Sequence, residues 1–248
     1  MTDPTPASQP GPPLRIVGFF AHPDDAEFTC GGSAAVWSDQ GAEVIYVVVT
    51  NGAAGSNEPG RDLAELVKIR EAEQRAACAV TGVREVIFLG YPDGTLQPTL
   101  ELRRDITRLI RRLKPDRVVC GDPSVLFYGD GYINHPDHHA VDLSTVYAVY
   151  PCAVSRPIFP ELLDEGLEPH QVKELYLASD DKQVTTHVDI SSAIERKIEA
   201  LRCHKSQLDV GDGQWIREWA GEVGKAAGLP YAEAFRVITL IREEGGRE

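Results

Sequence analysis

Short apolar segments rich in β-branched residues alternate with amphipathic segments of helical period along the first half of the chain. Four apolar segments between Leu14 and Asp122 read LRIVGFFA, AEVIYVVVT, EVIFLG and RVVCGD. A long amphipathic helix is predicted between the second and the third, from about Arg61 to Val80. Strands that alternate with helices in this way form a parallel sheet covered on both faces. We therefore predict an α/β fold of three layers, α/β/α, with a mainly parallel sheet.

The pattern is weaker beyond Tyr150. A proline-rich stretch over residues 151–175 is interpreted as an excursion from the fold, with a flap as one interpretation. Two strands (ELYLAS and TTHVDI), a helix that begins near Ser192 and a closing strand (YAEAFRVITLI) are predicted after it. Because no repeat or composition shift marks a second domain, we predict a disordered leader over residues 1–13 and a single domain over residues 14–248.

The net charge narrows the possible binding partners, and the cysteine content indicates the cellular compartment. The net charge of −13 argues against nucleic acid or an anionic membrane as the main partner. No apolar run reaches the roughly 20 residues that a membrane span needs. The acidic surface leaves open whether the chain forms a homo-oligomer. Five scattered cysteines without a CxxC pair indicate reduced thiols, and hence a cytoplasmic protein. They are Cys30, Cys78, Cys120, Cys152 and Cys203.

Two clusters of histidine and aspartate follow the first and the fourth predicted strands. The first is His-Pro-Asp-Asp at residues 22–25, and the second is His-Pro-Asp-His-His at residues 135–139. In a Rossmann-like sheet of strand order 3-2-1-4-5, strands one and four are neighbours, and functional groups gather beyond their carboxyl ends. We therefore expect the two clusters to face each other across one crevice.

The residue types in these clusters suit a divalent cation. Imidazole nitrogen and carboxylate oxygen bind ions such as Zn²⁺, and a catalytic zinc site commonly has three protein ligands. A cation would also make the adjacent carboxylates of Asp24 and Asp25 tolerable, because it offsets their repulsion. The residue types do not decide which of the two is the ligand. The structural alternative is that Asp24 and Asp25 cap the next helix and that HPDHH is a solvated turn.

Six segments occur in a characteristic order: AHPDDAEFTCGG, KIREAEQRAACAVTGV, FLGYPDG, HPDHH, VDISSAIERKIEALRCHKSQ and YAEAFRV. Together they resemble the PIG-L/LmbE family of zinc-dependent N-deacetylases, from about Leu14 to Ile241. The resemblance implies a hydrolase (an enzyme acting on linear amides) that removes the N-acetyl group from an N-acetylglucosamine-type sugar or sugar conjugate. It also implies one Zn²⁺ per chain, with other divalent metals as alternatives, and a small amino sugar as substrate.

The resemblance also implies roles for individual residues. His22, Asp25 and His138 would be the metal ligands. Asp24 would be the general base that takes a proton from the attacking water. His135, in protonated form, would stabilise the oxyanion or protonate the leaving amine.

Three more residues match family positions. Asp137 would orient the imidazole of His135. Arg70 and Asp93 would hold sugar hydroxyl groups. The alternatives for the last two are a charge on the helix surface for Arg70 and an ordinary turn aspartate for Asp93.

Two departures from the family pattern affect the expected substrate. Ala26 occupies the place of a common glutamate and Glu27 follows it, while Asn134 stands where several branches have a basic or small residue. An amidase acting on a larger sugar–thiol conjugate is therefore an alternative function. A nucleotide-binding protein of the same fold is a further alternative, although the turn after strand one lacks G-x-G-x-x-G.

Overall fold

The structure is a computed structural model that describes residues 12–179 and 183–241. Its strands are β1 (Arg15–Phe20), β2 (Glu43–Thr50), β3 (Glu85–Tyr91), β4 (Arg117–Gly121), β5 (Phe127–Tyr128), β6 (Tyr132–Ile133), β7 (Glu174–Ala178), β8 (Thr186–Asp189) and β9 (Ala232–Thr239). Its α-helices are α1 (Asp25–Asp39), α2 (Leu63–Thr81), α3 (Leu100–Leu113), α4 (Pro136–Tyr147), α5 (Glu161–Asp164), α6 (Ile194–Arg202) and α7 (Gln214–Lys225).

Seven of the described strands form one sheet in the order β3-β2-β1-β4-β7-β9-β8. The first five in this order are parallel, whereas β9 runs antiparallel to both β7 and β8. The predicted three-layer α/β/α fold with a mainly parallel sheet is therefore confirmed. The predicted strand order 3-2-1-4-5 is also confirmed, with β7 as the fifth strand of that order. The strands β5 and β6 form a separate antiparallel hairpin beyond β4.

Alternate residues of β1 pack on opposite faces of the sheet. Val17 and Phe19 lie in a hydrophobic cluster on one face, and Ile16 and Phe20 lie in a cluster on the other. All four side chains are almost fully buried. A strand that is buried on both faces has the continuous apolar sequence from which β1 was predicted.

Local signals set the ends of the long helix α2. The carboxylate of Asp62 accepts hydrogen bonds from the backbone N–H groups of Ala64 and Glu65, which otherwise lack a partner in the first turn. Gly82 ends the helix with a φ of 79°, a conformation that glycine adopts without strain. The helix predicted to begin near Ser192 corresponds to α6. It ends at Arg202, before its amphipathic sequence pattern ends.

The proline-rich segment over residues 151–175 packs against the last turn of α3. The guanidinium of Arg111 donates hydrogen bonds to the carbonyl groups of Cys152 and Ser155. The last turn of α3 lies near the amino end of β4, whereas the His and Asp clusters follow the carboxyl ends of strands. These contacts hold the beginning of the segment near the amino end of β4, and a flap over the site stays a prediction.

Parts of the predicted domain organisation fall outside the described residues. Of the predicted leader over residues 1–13, only Pro12 and Pro13 are described. The single domain over residues 14–248 stays a prediction, since its last seven residues are not described. Among the described helices, none combines the length and the apolar character needed to cross a membrane.

Candidate active site

Three donor side chains meet beyond the carboxyl ends of β1 and β4. His22 and Asp25 follow β1, and His138 lies in the first turn of α4. Nδ1 of His22 is 3.2 Å from Nε2 of His138 and 3.3 Å from Oδ2 of Asp25. Nε2 of His138 is 3.1 Å from Oδ1 of Asp25. One ligand atom from each residue lies within 4.8 Å of the others, so these three side chains could hold a metal ion.

The outward-facing ring nitrogens of the two histidines have hydrogen-bond partners. Nε2 of His22 lies 3.0 Å from Oδ1 of Asp93 and 3.3 Å from Oδ2 of Asp137. Nδ1 of His138 lies 3.1 Å from Oδ1 of Asn134. Such partners fix the tautomer of a metal-binding histidine and leave its other nitrogen free to coordinate. The donor set and its surrounding contacts therefore fit a divalent metal.

The electrostatic environment also favours a cation at this position. Burial disfavours a charged His22, but the carboxylates of Asp25 and Asp93 outweigh burial and raise the pKa of His22 to about 10. For Asp25, burial is outweighed by His138 and His22, which hold its pKa well below the usual range. Carboxylates that stabilise positive charge on an imidazole stabilise a metal cation in the same place.

Asp24 has a backbone conformation that is unusual for a residue other than glycine. Its φ of 107° lies in the left-handed region, and its N–H donates a hydrogen bond to Oε1 of Gln74 at 2.9 Å. Burial and the adjacent charge of Asp25 raise the pKa of Asp24 to about 7, although Arg70 acts in the opposite direction. A carboxyl group with this pKa can exchange a proton near neutral pH.

Arg70 joins two loops beside the site and is not a charge on the helix surface. Its side chain is 5% exposed. Its guanidinium donates hydrogen bonds to the carbonyl groups of Pro23 at 2.7 Å and Gly52 at 2.9 Å, and it lies 3.4 Å from Oδ2 of Asp24. The surface alternative for Arg70 is therefore wrong. All three contacts of the Arg70 guanidinium are with atoms of the protein.

His135 is the N-cap of α4. Its Nδ1 accepts a hydrogen bond from the backbone N–H of Asp137 at 3.2 Å, so the ring proton of the neutral form is on Nε2. Burial and the charge of His22 lower the pKa of His135. The family resemblance implies a protonated imidazole here, whereas these surroundings favour a neutral ring that still donates from Nε2.

The carboxylate of Asp137 is fully buried and holds the loop between β3 and α3. It accepts hydrogen bonds from the N–H groups of Gly94 at 2.7 Å and Leu96 at 3.0 Å. It influences His135 through its charge, which raises the pKa of that imidazole. The contact of Asp137 with the His135 ring is made by its backbone N–H, which donates to Nδ1, and the expected role of Asp137 in orienting this imidazole stays a prediction.

Asp93 lies on the same loop and connects His22 to a third loop. Besides its contact with His22, its Oδ2 accepts a hydrogen bond from the N–H of Ala54 at 2.9 Å. Its side chain is 5% exposed, so it is more than an ordinary turn aspartate. The geometry gives Asp93 a direct influence on a candidate metal ligand.

The sequence that forms these strands and this candidate site matches a known family. Residues 17–149 match the PIG-L family, which is described as GlcNAc-PI de-N-acetylase. The chain belongs to this family. The match contains all eight candidate residues singled out in the sequence, from His22 to His138.

Relatives of this PIG-L family member include several named deacetylases. The chain is 30% identical over 231 residues to a diacetylchitobiose deacetylase of Thermococcus kodakarensis, with 92% of this chain and 84% of the relative covered. It is also 30% identical over 239 residues to a 1D-myo-inositol 2-acetamido-2-deoxy-alpha-D-glucopyranoside deacetylase of Actinosynnema mirum, with 80% and 82% covered. The structure resembles that of N,N'-diacetylchitobiose deacetylase from Pyrococcus horikoshii complexed with its inhibitor MPG, with a TM-score of 0.83, 30% identity, and 91% and 84% covered.

The PIG-L site adjoins a buried polar network for which the sequence motifs predict no role. Nε2 of Gln74 donates to Oε1 of Glu27 at 2.9 Å, and Oε2 of Glu27 lies 3.1 Å from Nε2 of His204. All three residues are fully buried, and Gln74 in turn contacts Asp24. A glutamate within the first helix could have drawn attention to Glu27, but no local signal joins it to a histidine 177 residues away.

Proposed function

We propose that the protein is a zinc-dependent N-deacetylase that removes the acetyl group from an N-acetylglucosamine-type sugar or sugar conjugate. The observation that carries the proposal is the convergence of His22, Asp25 and His138 beside the carboxyl group of Asp24, whose pKa is raised to about 7. Family membership supports the reaction type, because relatives over most of the chain are named as deacetylases of sugar substrates.

Zinc is the metal that this donor set suits best. Two imidazoles and one carboxylate form a common ligand set of catalytic zinc sites, in which a fourth position stays open. Bound there, the metal would supply Lewis acidity, polarising the amide carbonyl and making a water molecule more acidic. Carbonyl-rich oxygen sites, which calcium and magnesium prefer, have a different composition.

The protein's own residues would perform the proton transfers. Asp24 would take a proton from the attacking water as its oxygen bonds to the acyl carbon. His135 would donate a hydrogen bond from Nε2 to the developing oxyanion or to the leaving nitrogen. Asp137 would keep His135 and the β3–α3 loop in place. The carbon–nitrogen bond then breaks: water supplies one oxygen of the released acid and one proton to the leaving nitrogen, which keeps the proton it carried in the amide.

The substrate is proposed to be a small amino sugar. Arg70 and Asp93 would act mainly by ordering the loops and His22, with hydroxyl contacts as an additional role. An amidase acting on a larger sugar–thiol conjugate remains the variant of this function. The nucleotide-binding alternative has no comparable support, since the loop after β1 presents carboxylates where a phosphate would lie.

An assay of amine release tests the proposal. The protein is treated with a chelator, and turnover of N-acetylglucosamine, diacetylchitobiose and a larger N-acetylated sugar conjugate is measured before and after addition of one equivalent of zinc. We expect turnover of at least one substrate only after metal addition. Metal-independent turnover, or none on any substrate with zinc bound, would contradict the proposal.

The cellular setting is part of the same proposal. All five cysteines are free thiols, four of them buried, which supports a cytoplasmic location. The partner is a small molecule, and assembly into a homo-oligomer stays open.

A further inference from the structure

A cavity of about 460 Å³ begins at the candidate metal centre. Asp25 and His138 line one end of it. From there it extends between the β5–β6 hairpin on one side and the helices α1 and α7 on the other. Neither Asp24 nor His135, both within the described chain, is among its lining residues.

The walls of the cavity are mainly apolar and partly aromatic. Phe20 and Phe28 contribute from the side of β1 and α1, and Trp219 and Val223 contribute from α7. Tyr128 closes it from the hairpin. The helix α7 was not predicted from the sequence, and no family motif in the sequence analysis assigns it a role.

The charged and amide side chains that line the cavity are engaged with other parts of the protein. Asn134 bonds to His138 and to the carbonyl of Val125. The carboxylate of Asp142 accepts a hydrogen bond from a backbone N–H at 2.8 Å. The lining also carries hydroxyl groups, which are those of Thr29, Tyr128, Tyr132 and Ser179. A sugar hydroxyl group that meets none of them would be buried at a cost.

The remaining charges form a closed pair. The ammonium of Lys197 is ion-paired with Glu233, whose carboxylate also accepts hydrogen bonds from the N–H groups of Gly32 and Ser33. The side chains of both charged residues are at most 6% exposed. The two charges therefore satisfy each other and leave the adjoining cavity wall without an available charge for a ligand.

The volume of the cavity greatly exceeds what an acetyl group needs. The methyl group of an acetyl is about the size of a water molecule, whose share of liquid volume is ~30 Å³. A cavity of 300–1,000 Å³ with apolar walls is typical of sites that enclose a whole apolar ligand group.

We propose that this cavity binds the acyl chain of the substrate, and that the enzyme removes linear acyl groups longer than acetyl as well as acetyl itself. The inference rests on the proposed function. The reaction is unchanged in its balance: water adds to the acyl carbon, the carbon–nitrogen bond breaks, and a carboxylic acid and a free amine are released.

The position of the cavity favours the acyl chain over an apolar group on the sugar. Attack requires the acyl carbon to lie beside Asp25 and His138, where the cavity begins. The acyl chain is attached directly to that carbon, whereas an aglycone is separated from it by the sugar ring. The acyl chain is therefore the part of the substrate that lies nearest to the cavity and extends into it.

A series of N-acylglucosamines tests the proposal, with acetyl, butanoyl, hexanoyl and octanoyl groups on the zinc-loaded enzyme. We expect kcat/KM to rise with chain length, by up to about fourfold for each methylene that becomes buried. A parallel series of N-acetylglucosaminides with methyl, butyl and octyl aglycones should show no such rise. A rise confined to the aglycone series, or a fall from acetyl onwards in the acyl series, would overturn the proposal.

A matched pair of substitutions on α7 locates the effect. Val223→Trp fills the cavity, whereas Glu222→Trp places the same side chain at an exposed position of the same helix. We expect V223W to lower the ratio of octanoyl to acetyl turnover at least tenfold and E222W to leave the ratio unchanged. Equal ratios in both variants would show that the cavity does not hold the chain.

Measurements of turnover and of binding together distinguish a failure of this inference from a failure of the proposed function. If the enzyme turns over acetyl substrates without a preference for longer chains, the acyl cavity is wrong and the function stands. If no amide is turned over, calorimetry with N-octanoyl- and N-acetylglucosamine still decides. Tighter binding of the octanoyl compound, lost in V223W, supports the cavity, and equal affinities refute it.

Discussion

The side-chain oxygen of Gln74 accepts a hydrogen bond from the backbone N–H of Asp24 at 2.9 Å. Gln74 belongs to α2, and Asp24 lies in the loop between β1 and α1. The contact holds Asp24 at a φ of 107°, a conformation that costs on the order of 1–3 kcal/mol for a residue with a side chain. The surrounding protein therefore fixes the two adjacent aspartates in different positions, Asp25 toward the histidines and Asp24 apart from them.

Replacing Gln74 by leucine should slow the chemical step without removing the metal. The variant leaves the N–H of Asp24 and one oxygen of Glu27 without their partner, at a cost of about 1–3 kcal/mol in unfolding free energy for each buried group. We expect kcat to fall about 10- to 100-fold because the base is misplaced. Turnover kinetics, thermal unfolding and metal analysis together check this.

Lys68→Leu is the control for that variant, since Lys68 is an exposed residue of the same helix and its ion pair with Glu65 lies on the surface. Its unfolding free energy should change by less than about 1 kcal/mol. A normal kcat in the Gln74 variant at full metal content would show that the contact does not position the base.

The two aspartates should differ in the effect of an asparagine substitution. Asp24→Asn keeps a residue that tolerates a positive φ, so metal content should stay near one ion per chain while kcat falls at least about 100-fold. Asp25→Asn removes a charged donor from the ligand set and should lower metal content as well. Elemental analysis of both purified variants decides. Loss of metal from the Asp24 variant alone would mean that the two roles are reversed.

We expect His135 to take part in the reaction and not only to cap the amino end of α4. His135→Asn retains an N-cap acceptor for the N–H of Asp137, whereas His135→Ala loses it, with a stability difference of about 1 kcal/mol. Both variants should lose about 100-fold or more in kcat at unchanged metal content. Recovery of kcat in the asparagine variant would reduce His135 to a capping role.

The topology of the sheet was predictable because it depends on local patterns. Each parallel strand is an apolar run, each crossover is a helix with a polar face, and the order 3-2-1-4-5 follows from common connections between such units. The facing of His22 and His138 then follows from the adjacency of β1 and β4. Neither step needs knowledge of individual side-chain contacts.

The roles of the surrounding residues depend on contacts that a linear pattern does not contain. Arg70 has charged neighbours in the sequence and looks like a surface residue, yet it is buried because the loop at Gly52 packs over it. Glu27 and His204 meet only after α6 has packed against α1 and α2. The lowered pKa of His135 follows from burial and the charge of His22, which also require the assembled site.

Asp93 offers a test of whether it holds the substrate or the metal ligand. Its carboxylate lies 3.0 Å from Nε2 of His22, so Asp93→Asn should weaken zinc binding about 10- to 100-fold. Asp105→Asn is a matched control on α3, away from the ligands, and should leave zinc affinity unchanged. Competition with a chromophoric chelator measures both. A raised KM at unaltered zinc affinity would instead favour a direct contact of Asp93 with the sugar.

Zinc affinity should increase with pH, because protons and metal compete for the same imidazoles. The pKa of His22, raised to about 10, means that His22 carries a proton at neutral pH when no metal binds, and coordination must release it. Between pH 6 and 8, well below this pKa, each released proton strengthens apparent affinity about tenfold per pH unit. Chelator competition at pH 6, 7 and 8 should therefore show at least a 100-fold increase over the range. An affinity independent of pH would mean that His22 does not exchange its proton for the metal and is not a ligand.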